Sequence, residues 1–362
     1  MRQPEETWEA VAPLLARAGV TRVADVTALD RIGVPVYQAI RPASRNLSVS
    51  QGKGLTAAAA RVSAVMEALE LWHAERLDGL PQVTASLREM EYANPVRPGD
   101  LPWVEGAVGL DAAPMAWVPA LSLVSGRRAW LPRELLEVDF TVPETLRPRM
   151  LYVSSNGLAS GNCREEAQLH ALCEVVERHG LHRARERPEE RAALDPESVD
   201  DPECRRLIER FGRTGMKLGI FDVTWEAGVA SFLVELVAAD LPNVWMGAGT
   251  HPSRSVALAR ALTEAAQSRL AYISGARDDL PRLCRGAGYH RTFDGYRPPV
   301  GRRRFSEVPD LATDSVARDL EAVVERVAAA GHEPFWVDLT RPEVGLAVVR
   351  VFVPGWKEMR HH

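Results

Sequence analysis

The sequence predicts an α+β protein, one large pseudo-repeated domain with mixed or antiparallel sheets and long helices. Three observations predict it. The first is an echo: Ala60, Ala64, Glu67 and Glu70 recur as Ala167, Ala171, Glu174 and Glu177, and again as Ala257, Ala261, Glu264 and Gln267. In each copy two small residues and two carboxyl or carboxamide groups fall on one helical stripe. The second is the alternation of short strand-like runs, many paired as hairpins, with helical patterns. The third is core-forming material, since 46% of the 362 residues are hydrophobic. That length permits two or three domains, but the spaced echoes favour one.

Taken in order, residues 4–18 alternate like an amphipathic helix starting at Pro4. Residues 23–27 and 34–40 read as strands about a turn at 30–33, and 47–54 as a strand running into a glycine loop. A long helix is expected over 56–77 with Thr56 as its N-cap. The Pro- and Trp-rich stretch 81–150 holds a hairpin of 116–123 with 129–131 around Ser125-Gly126. A second glycine loop, 154–162, introduces a helix over 164–187. Residues 191–216 read as a further helix, 219–223 and 231–238 as paired strands, and 244–249 as the lead into a third long helix, 253–274. Residues 277–312, dense in Arg, Gly, Pro and Asp, read as an exposed excursion. A helix over 315–330 and two apolar strands, 334–339 and 347–353, close the chain. The expected division is 1–44 for an N-terminal helix and strands leading into or joining the main domain, 45–356 for that domain, and 357–362 for a short tail.

Composition excludes several classes. A net charge of −5 leaves no basic footprint for nucleic acid. The positive charge is nearly all arginine, lysine occurring only at Lys53, Lys217 and Lys357. The four cysteines form no CxxC pair and no signal-peptide pattern precedes them, so a reduced, cytoplasmic setting is expected. No apolar run approaches the roughly 20 residues that span a bilayer. The terminal His361-His362 receives no function.

Carboxylates on the stripe that should face the core are costly unless a cation receives them. Glu67 and Glu70 are neighbours on one face, as are Glu174 and Glu177, with Glu166 projecting almost in line with Glu177. Such pairs repel, which raises a pKa or recruits a cation. Hard oxygen ligands suit Mg²⁺, above all when phosphate oxygens complete its shell. For a single pair the simpler reading is a solvated helix face, but the repetition weighs against it. The glycine segments Gln51-Gly52-Lys53-Gly54 and Asn156-Gly157-Leu158-Ala159-Ser160-Gly161-Asn162 precede the first two helices and read as phosphate cradles, with Lys53 adding a point charge. Neither is a P-loop. Glu70-Leu71-Trp72-His73 has no second E-x-x-H, the second segment is not a G-x-S-x-G elbow, and finger-spaced zinc ligands are absent from the sequence. His170, His179 and His182 read as packed or exposed side chains.

These motifs resemble a known family. Ser48-Val49-Ser50-Gln51-Gly52-Lys53-Gly54, then Ser63-Ala64-Val65-Met66-Glu67-Ala68-Leu69-Glu70, is similar to the first signature of the YcaO superfamily. Asn156 to Asn162, Glu166-Ala167 and Glu174-Val175-Val176-Glu177-Arg178 resemble the second, and Val337-Asp338-Leu339-Thr340 with Val351-Phe352-Val353-Pro354-Gly355 resembles the C-terminal strands. The likeness covers residues 45–356. It implies a fold built around a central ATP site and ATP-dependent modification of peptide backbones. Glu67, Glu70, Glu174 and Glu177 would hold Mg²⁺ on the phosphates. Ser50 belongs to the first signature and is taken with the ATP site, to which Asn162, Glu166 and Arg178 also match. Arg178 and the metal cage are the favoured catalytic elements. Lys53 and Gln267 are added to the ATP site from the residue-level reading. Leu71 stands where the family often carries an arginine.

The N-terminal Thr21-Arg22-Val23-Ala24-Asp25-Val26-Thr27 and Leu29-Asp30-Arg31-Ile32-Gly33-Val34-Pro35-Val36 resemble the subgroup paired with TfuA proteins. The chain ends at Trp356-Lys357-Glu358-Met359-Arg360 and its terminal His pair, without the proline-rich tail common in azoline-forming cyclodehydratases. The resemblance therefore implies thioamide formation on a precursor peptide or protein, with sulfide supplied through a TfuA-like partner, and a homodimer. The alternatives are an azoline-forming cyclodehydratase or a non-catalytic peptide-binding scaffold.

Overall fold

The computed structural model describes residues 2–91, 94–106, 112–141, 149–241, 243–276 and 293–358. Helix α1 (Pro4–Val11), continued by a 3-10 turn, leads into an antiparallel meander of β1 (Arg22–Asp25), β2 (Val36–Ile40) and β3 (Val49–Lys53). Helix α2 (Ala57–Ala74) follows, and the Thr56 side chain caps it by accepting from Ala59 N. Next come β4 (Val83–Ser86), α3 (Leu87–Glu91), β5 (Pro114–Ser122) and β6 (Arg128–Pro132), the last two paired as a hairpin. Gly126 turns that hairpin at φ 68°. The second half runs β7 (Leu158–Gly161), α4 (Arg164–Glu186), β8 (Ala192–Ala193), α5 (Pro202–Arg213), β9 (Lys217–Asp222), β10 (Ser231–Val237), β11 (Val244–Thr250) and α6 (Arg254–Ser274). It closes with α7 (Val316–Ala329), β12 (Phe335–Asp338) and β13 (Ala347–Phe352).

The strands form three antiparallel sheets: β1-β2-β3, β11-β10-β9-β8, and a six-stranded sheet in the order β4-β5-β12-β13-β7 with β6 on β5. Each long helix covers the strand before it. Why the strand can lie so close is written in small residues. A Cβ on Gly52 of β3 would stand 2.0 Å from Ala64 N and 2.3 Å from Ala60 O of α2. A Cβ on Gly249 of β11 would stand 2.1 Å from Ala257 O of α6. The alanine stripe therefore packs on a glycine-bearing strand, and Ala60, Ala64, Ala167, Ala171, Ala257 and Ala261 are all fully buried. Strand β3 follows β2 in the register Val36↔Lys53 to Ile40↔Val49, so residues before position 45 share a sheet with those after it.

Several expectations change. Of the two segments read as glycine loops, the first is strand β3 as far as Lys53, and the second turns at Gly157 (φ 76°) before entering β7; Gly52 and Gly161 serve close approach to a helix. The expected helix over 191–216 is shorter and is preceded by a 3-10 turn; Asp195 and Asp201 each cap a segment that opens with a proline, Pro196 and Pro202. Of the expected excursion 277–312, residues 277–292 lie outside the described residues. From 293 onward the chain is largely exposed, as expected, but it is anchored: Tyr296, Phe305 and Val308 are buried, and Arg303 bridges to Leu194. Isolated anchors inside a polar, proline-rich run leave no periodic pattern to read.

Candidate nucleotide and metal site

The three strand–helix units converge on one cleft of about 660 Å³. From α2 it receives Glu67 and Glu70, and from α4 Glu166, Glu174, Glu177 and Arg178. Helix α6 supplies Glu264 and Gln267, and Lys53 and Asn162 come from β3 and the end of β7. The structure thus brings together every residue taken from the sequence as a site candidate except Ser50. In a strand successive side chains point to opposite faces, so Gln51 and Lys53 line the cleft while Ser50 turns away, 2% exposed.

Backbone donors orient the carboxylates. Glu70 Oε1 accepts from Ser160 N at 2.8 Å and from Ser160 Oγ at 2.6 Å. Glu67 Oε2 accepts from Gln51 N at 3.0 Å, and Glu166 Oε2 from Asn162 N at 2.8 Å. The first two contacts tie a helix of one unit to its own strand and to the strand of the next. Asn162 Oδ1 accepts from Thr7 Oγ1 at 3.0 Å, which brings α1 to the rim. Lys53 Nζ is 2.6 Å from Glu264 Oε2, and Arg178 Nη2 is 3.8 Å from Glu174 Oε1.

The electrostatics are those of an anionic site short of cations. Burial pushes the Glu70 carboxyl up to about 8, with Glu67 and Glu174 adding repulsion against hydrogen bonds from Ser160. Burial likewise raises Glu174 to about 7 and raises Glu177, with Arg178 opposing in both cases. Burial works the same way on Glu264, but Lys53 and Arg178 outweigh it and hold that carboxyl below its usual range. Desolvation works against the Arg178 charge, yet Glu177, Glu174 and Glu264 hold it protonated.

Two residues of the cleft escaped the sequence reading. Arg260 of α6 lines it, and its charge acts on Glu174, Glu177 and Glu264. The signal was present: Arg260, Glu264 and Gln267 fall on one helical stripe. His170 also lines the cleft, one turn from both Glu166 and Glu174, and is kept neutral by burial and then by Arg260. His179 instead stacks on Trp356 with ring centroids 4.8 Å apart, and His182 Nε2 lies 3.2 Å from Glu186.

Whether these residues suit a metal follows from their chemistry. Among the described residues no three His, Cys, Asp or Glu side chains converge as a self-sufficient ligand set. Six carboxylates nevertheless line one cleft, three of them, Glu70, Glu174 and Glu177, with affinities for protons raised by burial. Mg²⁺ takes only one or two protein carboxylates at a time and fills its shell with phosphate and water oxygens. Gln51 Nε2, buried at the cleft without a protein partner, adds an uncommitted donor. The donor set fits a metal–phosphate ligand.

An antiparallel α+β fold whose helices bring carboxylates and arginines to one cleft fits the class of proteins that bind nucleotide and metal without a P-loop. Residues 51–357 match the family model described as YcaO cyclodehydratase, binding ATP and Mg²⁺, and the chain belongs to the YcaO family. An uncharacterised protein of Mycobacterium tuberculosis is 39% identical over 97% of this chain and 81% of its own length. A protein encoded in the tfuA 3′ region of Rhizobium leguminosarum bv. trifolii is 35% identical, covering 97% and 87%. Among solved structures, YcaO from Methanopyrus kandleri bound with AMPPCP and Mg²⁺ superposes with a TM-score of 0.76 at 26% identity, over 99% of this chain and 92% of that one. A heterocyclase in complex with substrate and cofactor gives a TM-score of 0.79 at 23% identity; the match covers 99% of this chain and about half, 52%, of the heterocyclase, and it shows likeness of fold alone. No described helix is long and apolar enough to cross a membrane.

Proposed function

We propose that this chain uses ATP and Mg²⁺ to activate a backbone amide of a peptide or protein, and that sulfide delivered through a TfuA-like partner replaces the amide oxygen to give a thioamide. The observation that carries the activation is the cleft, where three helices present desolvated carboxylates beside Arg178 and Arg260. In the overall change a nucleophile adds to the amide carbon, the amide oxygen takes up the γ-phosphoryl group, and the C–O bond breaks as phosphate departs. With hydrosulfide as nucleophile, the products are thioamide, ADP and inorganic phosphate.

Mg²⁺, when bound, neutralises phosphate charge and holds the reacting groups in line. Glu67, Glu70, Glu174 and Glu177 would share the holding of bound Mg²⁺, one or two to an ion, with the Gln51 N–H fixing Glu67 and Ser160 fixing Glu70. Arg178 and Arg260 offset the charge that develops on the transferring group. Lys53, Asn162, Glu166 and Gln267 would orient the nucleotide. Positioning and charge neutralisation are the whole of the protein's part in phosphoryl transfer, and no covalent nucleophile is required.

Two features support sulfide as the nucleophile: the TfuA-type N-terminal motif and the relative encoded beside tfuA. The family description favours a second reading, cyclodehydration by a Cys, Ser or Thr side chain of the substrate. A peptide incubated with enzyme, ATP, Mg²⁺, sulfide and partner decides between them by mass. Exchange of oxygen for sulfur adds about 16 Da, whereas loss of water removes about 18 Da, both following phosphorylation of the amide oxygen. A loss of water without sulfide or partner would replace the thioamide reading. No peptide-dependent ADP release under any combination would overturn amide activation itself.

A further inference from the structure

A second cavity, of about 600 Å³, shares no lining residue with the cleft. Val175 of α4 lines it, one residue from Glu174 of the cleft, and consecutive helical positions diverge by roughly 100°. Leu101, Leu135 and Val175 form an apolar wall, and Arg350 and Asn156 bring polar atoms to it. Its volume falls within the range of small-ligand sites.

Arg350, on β13, is only 6% exposed. Its Nη2 donates to Ser154 O at 2.8 Å, but its Nη1 is buried with no partner among the described residues. The three carboxylates at this cavity are committed elsewhere. Glu358 accepts from Ser154 Oγ at 3.0 and 2.9 Å, Glu186 faces His182 Nε2 at 3.2 Å, and Asp100 accepts from Arg97 N at 3.1 Å. Among the described residues no carboxylate forms an ion pair with Arg350. Glu174 and Glu358 act on its charge only through space, and a buried guanidinium N–H left without an acceptor is unfavourable because arginine keeps its proton at neutral pH. Asn156, lining the same cavity, carries a buried acceptor, Oδ1, with no partner among the described residues.

We propose that this cavity binds a carboxylate-bearing peptide segment, with Arg350 Nη1 donating to the carboxylate and Asn156 Oδ1 accepting a main-chain N–H. The apolar wall takes the side chain that such a segment carries. Inorganic phosphate meets the arginine, and its hydroxyl could donate to Asn156, but it offers nothing to the apolar wall. That the ligand is a peptide rests on the amide-activation reading; the unmet donor and acceptor do not.

The test uses the full chain and three probes, N-acetyl-leucine, its primary amide and inorganic phosphate, titrated by calorimetry or NMR. The acid binds saturably, and the amide binds at least about tenfold more weakly because it loses the charge-assisted bond. Arg350→Gln weakens the acid at least about tenfold and leaves the amide unchanged. Asn156→Leu weakens both and melts no lower than wild type, since it removes an unmet buried acceptor; this variant and the acid–amide comparison decide the matter if Arg350→Gln does not fold. Equal binding of acid and amide, no binding of either, tighter binding of phosphate that displaces the acid, or acid binding indifferent to both variants would each overturn the proposal. Mg²⁺ with AMPPCP, titrated on the same sample, separates the two readings: nucleotide binding without acid binding sinks this site only, and the reverse sinks amide activation only.

Discussion

At the residue scale, Glu70 and Glu174 set the behaviour of the metal-free protein. Burial raises their pKa values to about 8 and about 7, so the folded chain keeps protons that the unfolded chain has released. Their stabilising contribution is complete below the unfolded value near 4.5 and is lost as pH rises through about 7 and about 8. Glu70→Gln cannot ionise, and its amide oxygen still accepts from Ser160. Without metal, this variant gains melting temperature relative to wild type as pH rises across that window; a gap that stays constant with pH contradicts the assignment. For function the sign reverses, because the charge serves a cation. Glu174→Gln loses at least about a hundredfold in peptide-dependent ADP release while remaining folded, and wild-type turnover would remove Glu174 from the cage. The four principal carboxylates were legible because pairs three residues apart repeat on a small-residue stripe. Arg260 was passed over although it shares a helical stripe with Glu264 and Gln267, and His170 was not legible, since a single imidazole on a helix carries no pattern until a neighbouring helix faces it. Ser50 was misplaced because a motif marks a stretch of strand, whereas the pleat gives only alternate residues to the site.

At the scale of elements, the strand–helix unit is the device that builds the cleft. Its glycines let β3 and β11 press against alanine stripes, and this contact fixes where the carboxylates of α2 and α6 emerge. A methyl group on Gly52 meets helix backbone, which cannot swing aside as a flexible side chain would. Gly52→Ala is therefore expected to cost about 1–3 kcal/mol or more in denaturant unfolding. It should also weaken Mg²⁺–nucleotide binding, because α2 carries Glu67 and Glu70. Unchanged stability and affinity would show that the close approach is not required. Glycine in a sequence first signals a turn, so these segments read as loops; their strand character depends on a partner helix that only tertiary structure supplies. The long helices were legible nearly to their ends, with Thr56 and Ser253 capping α2 and α6. The shorter α5 was overextended because the prolines at 196 and 202 were not weighed as starting points.

At the scale of the whole molecule, the three described sheets and their helices frame one anionic cleft, and a second cavity, with no lining residue in common with it, holds an arginine with an unmet donor. The α+β class followed from alternation and hairpins. The way three sequence-distant units meet could be foreseen only through the family resemblance, since no local pattern encodes long-range pairing. The central claim is that the oxygen of a peptide amide leaves with phosphate. Once mass change has identified the modified peptide, that peptide is prepared with a heavy-oxygen label at the reacting amide and turned over with ATP, Mg²⁺ and the nucleophile. The account predicts that the label appears in inorganic phosphate, one atom for each amide converted. Label retained in the peptide or released to water, with unlabelled phosphate, would contradict it.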